Sequence, residues 1–282
     1  MPNYEEYFVA FLDILGFKNL LKEMKCNEIY SIFNVLHKKT SGTRTQNGVE
    51  IKAYKEIKHV ILSDSVIVYI KKDIEDAFAT LINICDQLQF SLANRDKPIL
   101  LRGAISIGVL FSDSENDFIY GNGLTTAYLL ENNLAKYPRI IFTGNVLEEG
   151  LKNTKYMIAY MQGIMKPYEE DDDSLYYINY LFPEFCNSNN LIRYYDGLIN
   201  LCKEQLNKGI ETNLRDKYIW LKRKISKAIK IRSDIAEYYK KLEEERNNQE
   251  IIEYNERSRI YPQQLDIKIE IKSKSNIKNK DV

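Results

Sequence analysis

The sequence predicts a mixed α/β fold in which a sheet carries packed helices, and three observations predict it. Residues 7–14, YFVAFLDI, are a continuous apolar run of strand length that ends on a carboxylate and the Gly16 turn, as a strand buried on both faces does. Apolar residues recur at helical spacing over Asn19–Thr40 and again over Asp73–Ala93. β-rich runs lie between and after these stretches, so the order reads βαββαβ, an enlarged ferredoxin-like plan.

In chain order, the first helical stretch breaks near Cys26-Asn27, giving one or two helices, and ends at the SGTRTQNG loop. Glu50–Leu62 and Val66–Ile70 are two β-rich runs pinched at Ser63-Asp64-Ser65, which predicts a hairpin with Asp64 at its tip. Pro98–Phe111 is again β-rich, and Gly103 and Gly108 within it mark bulges or close backbone approaches. A short strand at Phe118–Tyr120, a helix over Asn122–Leu134 and a strand over Arg139–Thr143 extend the sheet.

Beyond about residue 155 an aromatic-rich stretch with an acidic turn, Glu169–Asp173, leads into SLYYINYL and then charged helices over 189–256. The acidic run reads as a solvated turn, and Trp220, Leu221 and Ile225 read at helical spacing as core or dimer packing. Residues 265–282 alternate Lys with Ile and Ser, the composition of a disordered tail.

Composition narrows the function. Lys plus Arg and Asp plus Glu both number 40, so no global field draws the chain to nucleic acid or an anionic membrane. No apolar run reaches the roughly 18 residues of a membrane span, and the acidic N-terminus is not a signal peptide; a cytoplasmic location is expected. The cysteines, Cys26, Cys85, Cys186 and Cys202, lie far apart and read as reduced thiols. Only two histidines, His37 and His59, are present, which makes a histidine-based triad a poor reading and leaves carboxylates and metal as the chemistry.

Two constellations suit that chemistry. In FLDILGF (11–17) a carboxylate ends a buried strand before a Gly turn and a helix. Asp13 can ligate a divalent cation, the Ile14 carbonyl can add an oxygen, and the amides of Leu15, Gly16 and Phe17 can face phosphate oxygens; alternatively Asp13 is a helix cap. In ILSDSV (61–66) a second carboxylate sits at the hairpin tip. Adjacent strands lie about 4.8 Å apart, so a hairpin beside the first strand would bring Asp64 to Asp13 and let the two share two cations; alternatively Asp64 is an ordinary turn residue.

In this order FLDILGF, LSDS, LRGAISIGVLF (101–111) and IYGNGLTTAYLLE (119–131) resemble the four landmarks of class III nucleotidyl cyclases over roughly the first 150 residues. With YPRIIF (137–142), SLYYINYL and KYIWLK (217–222), the chain more closely resembles the bacterial pyrimidine cyclases of Pycsar antiphage defence. The resemblance implies a catalytic core over 1–155 and an extension over 156–264 that supports a homodimer with composite sites at its interface. It further implies that Asp13, Asp64 and the Ile14 carbonyl hold two Mg²⁺ or Mn²⁺ ions. UTP or CTP would become a 3′,5′-cyclic monophosphate and pyrophosphate, the product switching on a downstream cyclic-nucleotide-activated effector.

The chain also departs from the family. Val60 and Phe118 stand where purine cyclases read the base with polar side chains, and Thr125 and Leu129 stand where they offer Asn and Arg to the transition state. Arg102, Lys136 or Arg139 are the substitute cations; Arg102 and Arg139 equally suit structural ion pairs. A pyrimidine would take its polar contacts from backbone, water or a neighbour such as Tyr54 or His59. A purine cyclase and a catalytically silent nucleotide-binding module are the rival readings.

Overall fold

The apolar run that opens the chain is the central strand β1 (Glu5–Ile14), flanked on both edges by antiparallel partners. The computed structural model describes residues 3–40, 45–46, 49–113, 116, 118–163, 166–182, 188–208 and 211–232. After β1 come two helices, α1 (Phe17–Glu23) and α2 (Cys26–Thr40), and a two-stranded ladder of β2 (Thr45–Gln46) and β3 (Val49–Glu50). The β-rich stretch expected over Glu50–Leu62 is interrupted by one helical turn, α3 (Ala53–Glu56), which buries Ala53 and Tyr54, so the strand proper is β4 (Lys58–Leu62). β5 (Ser65–Lys71) returns antiparallel through the two-residue turn Ser63-Asp64, with Leu62 opposite Ser65.

The next helix, α4 (Ala77–Ala93), starts later than its periodicity predicts because Asp76 has another task. The Asp76 carboxylate is buried and accepts the amides of Lys155, Tyr156 and Met157 at 2.8, 3.1 and 3.1 Å. Then follow β6 (Leu101–Asp113), β7 (Phe118–Tyr120), α5 (Asn122–Leu134), β8 (Ile140–Phe142), α6 (Gly144–Lys152) and α7 (Ile158–Gln162). Gly103 is a close approach, since a Cβ there would stand 2.5 Å from the Phe11 carbonyl oxygen.

The sheet order β4-β5-β1-β6, with every neighbouring pair antiparallel, is the ferredoxin-like arrangement. α5 then crosses to β8, which lies parallel to β6. β9 (Tyr168–Glu170) and β10 (Tyr176–Ile178) continue the same sheet beyond β8. The hairpin after residue 155 thus continues the sheet that β1 opens. α8 (Ser188–Asn207) and a helix over 212–226, α9, complete the first compact unit, residues 1–226. The second unit, 227–282, is helical over its described residues, 227–232. The tail expected over 265–282 lies outside the described residues.

Successive β1 side chains point to opposite faces. Phe8, Ala10, Leu12 and Ile14 enter the main core with Ile32 and Leu36 of α2 and Leu81, Ile84 and Leu88 of α4. Tyr7 and Val9, with Phe11 beside them, meet Ile67, Tyr69, Leu110 and Ala127 of α5 on the other face. Asp13 continues that second set, so the carboxylate stands on the face that α5 covers.

The acidic run expected as a solvated turn is instead an anchor. Arg139 is fully buried and pairs with Asp171 and Asp173. Asp171 also accepts from Trp220 Nε1 at 2.9 Å and pairs with Lys224 at 2.9 Å. Trp220 stacks on Tyr137 with ring centroids 5.3 Å apart. These contacts fasten α9 to the segment before β8 and to the β9–β10 turn. Cys26 is an exposed thiol, Cys85 and Cys202 are buried thiols, and Cys186 lies outside the described residues. No described helix is long and apolar enough to cross a membrane.

Candidate active site at the end of β1

Strand register brings the two aspartates together. Asp13 stands opposite Ser65 on β5 and opposite Arg102 on β6. The Ile14 amide donates to the Asp64 carbonyl at 3.0 Å, so the hairpin tip is tied to the end of β1. Beyond it the Leu15 amide donates to the Leu100 carbonyl at 2.9 Å. That amide is therefore committed to the fold and not to a phosphate. Gly16 takes φ 76°, the left-handed turn that its missing side chain permits, and Phe17 buries its ring against Phe33. Of the three amides expected to face phosphate, those of Leu15, Gly16 and Phe17, the first is thus excluded.

Arg102 completes the site. Its Nε donates to Asp13 Oδ2 at 2.9 Å and lies 2.9 Å from Glu131 Oε1 on α5. Only the first contact has hydrogen-bond geometry, and Glu131 Oε1 is buried without a hydrogen-bond donor. Lys217, on α9, interacts electrostatically with Arg102, Asp13 and Glu131. Three carboxylates, Asp13, Asp64 and Glu131, thus share their surroundings with two cations.

The charges respond as burial and neighbours dictate. Desolvation raises the pKa of Asp13, with the Asp64 charge adding to it and Arg102 opposing it. Glu131 is raised for the same first reason, again against Arg102. Lys217 is lowered by desolvation and by the Arg102 charge. An excess of negative charge half-removed from water is a setting that favours an added cation.

The donor set fits a hard divalent ion. Mg²⁺ takes one or two carboxylates and fills its shell with water and substrate phosphates, and Asp13, Asp64 and the Ile14 carbonyl are such a set. Among the described residues no group of three or more His, Cys, Asp or Glu forms a self-sufficient metal cage. A cation on Asp13 would have to share that carboxylate with Arg102, which keeps Glu131 as its second partner.

The other expected residues fall elsewhere. Val60 is half-buried beside Ile67, and Ile119 of β7 packs against the same small cluster. Phe118 is 58% exposed on β7, opposite Asp113. Thr125 is exposed on the first turn of α5, where its hydroxyl donates to the Gly121 carbonyl at 3.3 Å, and Leu129 is exposed further along that helix. Arg139, buried in its ion-pair cluster, is not among the residues around Asp13, and Lys136 is exposed. Tyr54 and His59 do not line a pocket with Val60: Tyr54 is in the main core with its hydroxyl on Asn83, and His59 meets His37.

Sequence reasoning missed Glu131 and Lys217. Glu131 lies one helical turn after buried Ala127, so the α5 periodicity marked it as facing inward. Lys217, Trp220, Leu221 and Lys224 share one helix face by spacing, a pattern visible in KYIWLKRK once α9 is recognised.

No protein-family model matches the chain, and no curated protein matches it. Among solved structures the chain is similar to the monomeric guanylyl cyclase domain of the RhoGC fusion protein from the aquatic fungus Blastocladiella emersonii, at 14% identity over 62% of this chain and 95% of that one, TM-score 0.44. It is similar to the catalytic core of a rhodopsin-guanylyl cyclase with converted specificity in complex with ATPalphaS, at 14% identity over the same shares, TM-score 0.43. A bacterial light-regulated adenylyl cyclase is matched at 17% identity over 53% of this chain, TM-score 0.40, and this chain spans about half of its length, 46%.

Proposed function

We propose that the chain is a nucleotidyl cyclase that converts UTP or CTP to the 3′,5′-cyclic monophosphate and pyrophosphate, as a second messenger in antiphage defence. The observation that carries the reading is the juxtaposition at the end of β1, where Asp13 and the Asp64 turn meet beside Arg102 in a ferredoxin-like sheet. The order of the four sequence motifs on that sheet supports it.

In this reading Asp13, Asp64 and the Ile14 carbonyl hold Mg²⁺ or Mn²⁺. Held there, such ions would supply the Lewis acidity that eases loss of the ribose 3′-hydroxyl proton and positive charge for the polyphosphate. The 3′-oxygen attacks the α-phosphorus, the bond from that phosphorus to the β-phosphate bridge breaks, and the hydroxyl proton passes to solvent. Arg102 and Lys217 supply positive charge for the triphosphate, and Glu131 keeps Arg102 in place when Asp13 turns to its cation. Leu62, Tyr128 and Leu129 stay exposed on the site's side of the sheet. A second copy covering them would form the homodimer and bring Val60, Phe118 and Thr125 of one subunit to the aspartates of the other.

The test is pyrophosphate release from each of the four ribonucleoside triphosphates with Mn²⁺. One equivalent of pyrophosphate per cyclic product is expected from UTP or CTP; release from none of the four would make the chain a silent nucleotide-binding module.

A further inference from the structure

The two histidines of the chain, 22 residues apart in sequence, meet at the join between α2 and the sheet edge. His37 lies in the last turn of α2, and His59 lies on β4, the edge strand. Their facing ring nitrogens, His37 Nδ1 and His59 Nε2, are 3.2 Å apart, and the rings sit edge to face with centroids 5.3 Å apart. Both come from regular elements that pack on the main core. They belong to the opposite face of the sheet from Asp13, since His59 alternates with Val60 along β4.

Two nitrogen ligands bound at about 2.0–2.1 Å to one tetrahedral ion stand roughly 3.3 Å from each other. The separation here matches that spacing. We propose that His37 and His59 form a two-histidine site for a borderline transition-metal cation, Zn²⁺, Ni²⁺ or Cu²⁺, with water completing the shell. Imidazole suits these ions, whereas the carboxylate pair at Asp13 suits Mg²⁺ and Mn²⁺, so the two sites sort metals by ligand chemistry. His37 is solvent-exposed, which gives an ion access. Burial first, and the neighbouring His37 second, lower the His59 pKa, which favours the neutral ring over the charged one. A bound ion would clamp the edge strand that leads into the Asp64 turn onto α2.

The competing account of the pair is a plain imidazole hydrogen bond with no affinity for metal. Because these are the only histidines in the chain, NMR of the imidazole region of the tag-free, full-length protein reads the site without interference. Zn²⁺ is added in the presence of saturating Mg²⁺, and binding is followed in parallel by calorimetry. The expected result is one Zn²⁺ per chain, with both histidine signals moving together. His37→Gln and His59→Gln should each weaken that binding by about tenfold or more, while Asp13→Asn should leave it unchanged. Zn²⁺ that leaves both histidine signals in place, or that binds His37→Gln as tightly as the unmodified protein, would overturn the proposal. So would a lack of Zn²⁺ binding, and none of these outcomes bears on the cyclase reading.

Discussion

Asp64→Asn is expected to lower kcat for cyclisation by about 10³-fold or more, on the order of 4 kcal/mol, while leaving thermal unfolding close to that of the parent. The substitution keeps the shape of the side chain and removes a negative charge from the turn that the Ile14 amide fastens to β1. The Asp64 backbone, which makes that contact, is untouched. Asp13→Asn should cost activity to the same degree. Its stability readout is less clean, because Arg102 then depends on Glu131 alone. Steady-state kinetics with Mn²⁺ and a thermal melt check both variants. A fully active Asp64→Asn protein would remove the carboxylate pair from the mechanism.

The second large effect concerns stability. Asp171→Ala should destabilise the first unit by about 3–5 kcal/mol, because it leaves the fully buried Arg139 charge with only the half-exposed Asp173 as partner. It also strips the Trp220 N–H and the Lys224 ammonium of an acceptor. At roughly 2–4 °C per kcal/mol for a unit of this size, the melting midpoint should fall by on the order of 10 °C. Asp172→Ala is the control. Asp172 pairs only at the surface with Arg223, and removing it should change stability by less than about 0.5 kcal/mol.

The same anchor has a pH signature. Burial raises the Asp171 pKa, but the Lys224, Trp220 and backbone hydrogen bonds and the Arg139 charge outweigh it, so the net shift is downward. A carboxylate held below its unfolded value stabilises the fold above that value, and the contribution is lost as pH falls through the folded pKa. Acid unfolding of the parent should therefore be steeper than that of Asp171→Ala below the ordinary carboxylate range.

The parts of the fold legible in the sequence were those where one period dominates. β1 is apolar on both faces because it is covered on both, and α4 and α5 show their buried stripes directly. α3 was hidden inside a β-rich stretch because a single helical turn is too short to set a period. The anchoring role of Glu169–Asp173 was hidden for a different reason. Five acids in a row read as solvated unless their partners are known, and those partners, Arg139, Trp220 and Lys224, lie 32 to 53 residues away from Asp171 in sequence. Asp13 and Asp64 were recognisable as candidates because each ends or joins a strand in an apolar context. The Arg102–Glu131 pair was not, since only the register of β1 with β6 and the seating of α5 create it.

The pairing of carboxylates at the end of β1 and the apolar character of Val60 and Phe118 lead to one decisive measurement. An equimolar mixture of ATP, GTP, CTP and UTP is incubated with the protein and Mn²⁺, and the cyclic monophosphates are quantified by mass spectrometry. A purine edge facing Val60 and Phe118 would lose hydrogen bonds it makes with water, at about 1–3 kcal/mol for each unmet group. The account predicts 3′,5′-cyclic UMP or CMP in at least about tenfold excess over cyclic AMP and GMP, all of it lost with Asp64→Asn. Cyclic AMP or GMP formed as readily as the pyrimidine products, or no cyclic product from any of the four, would contradict it.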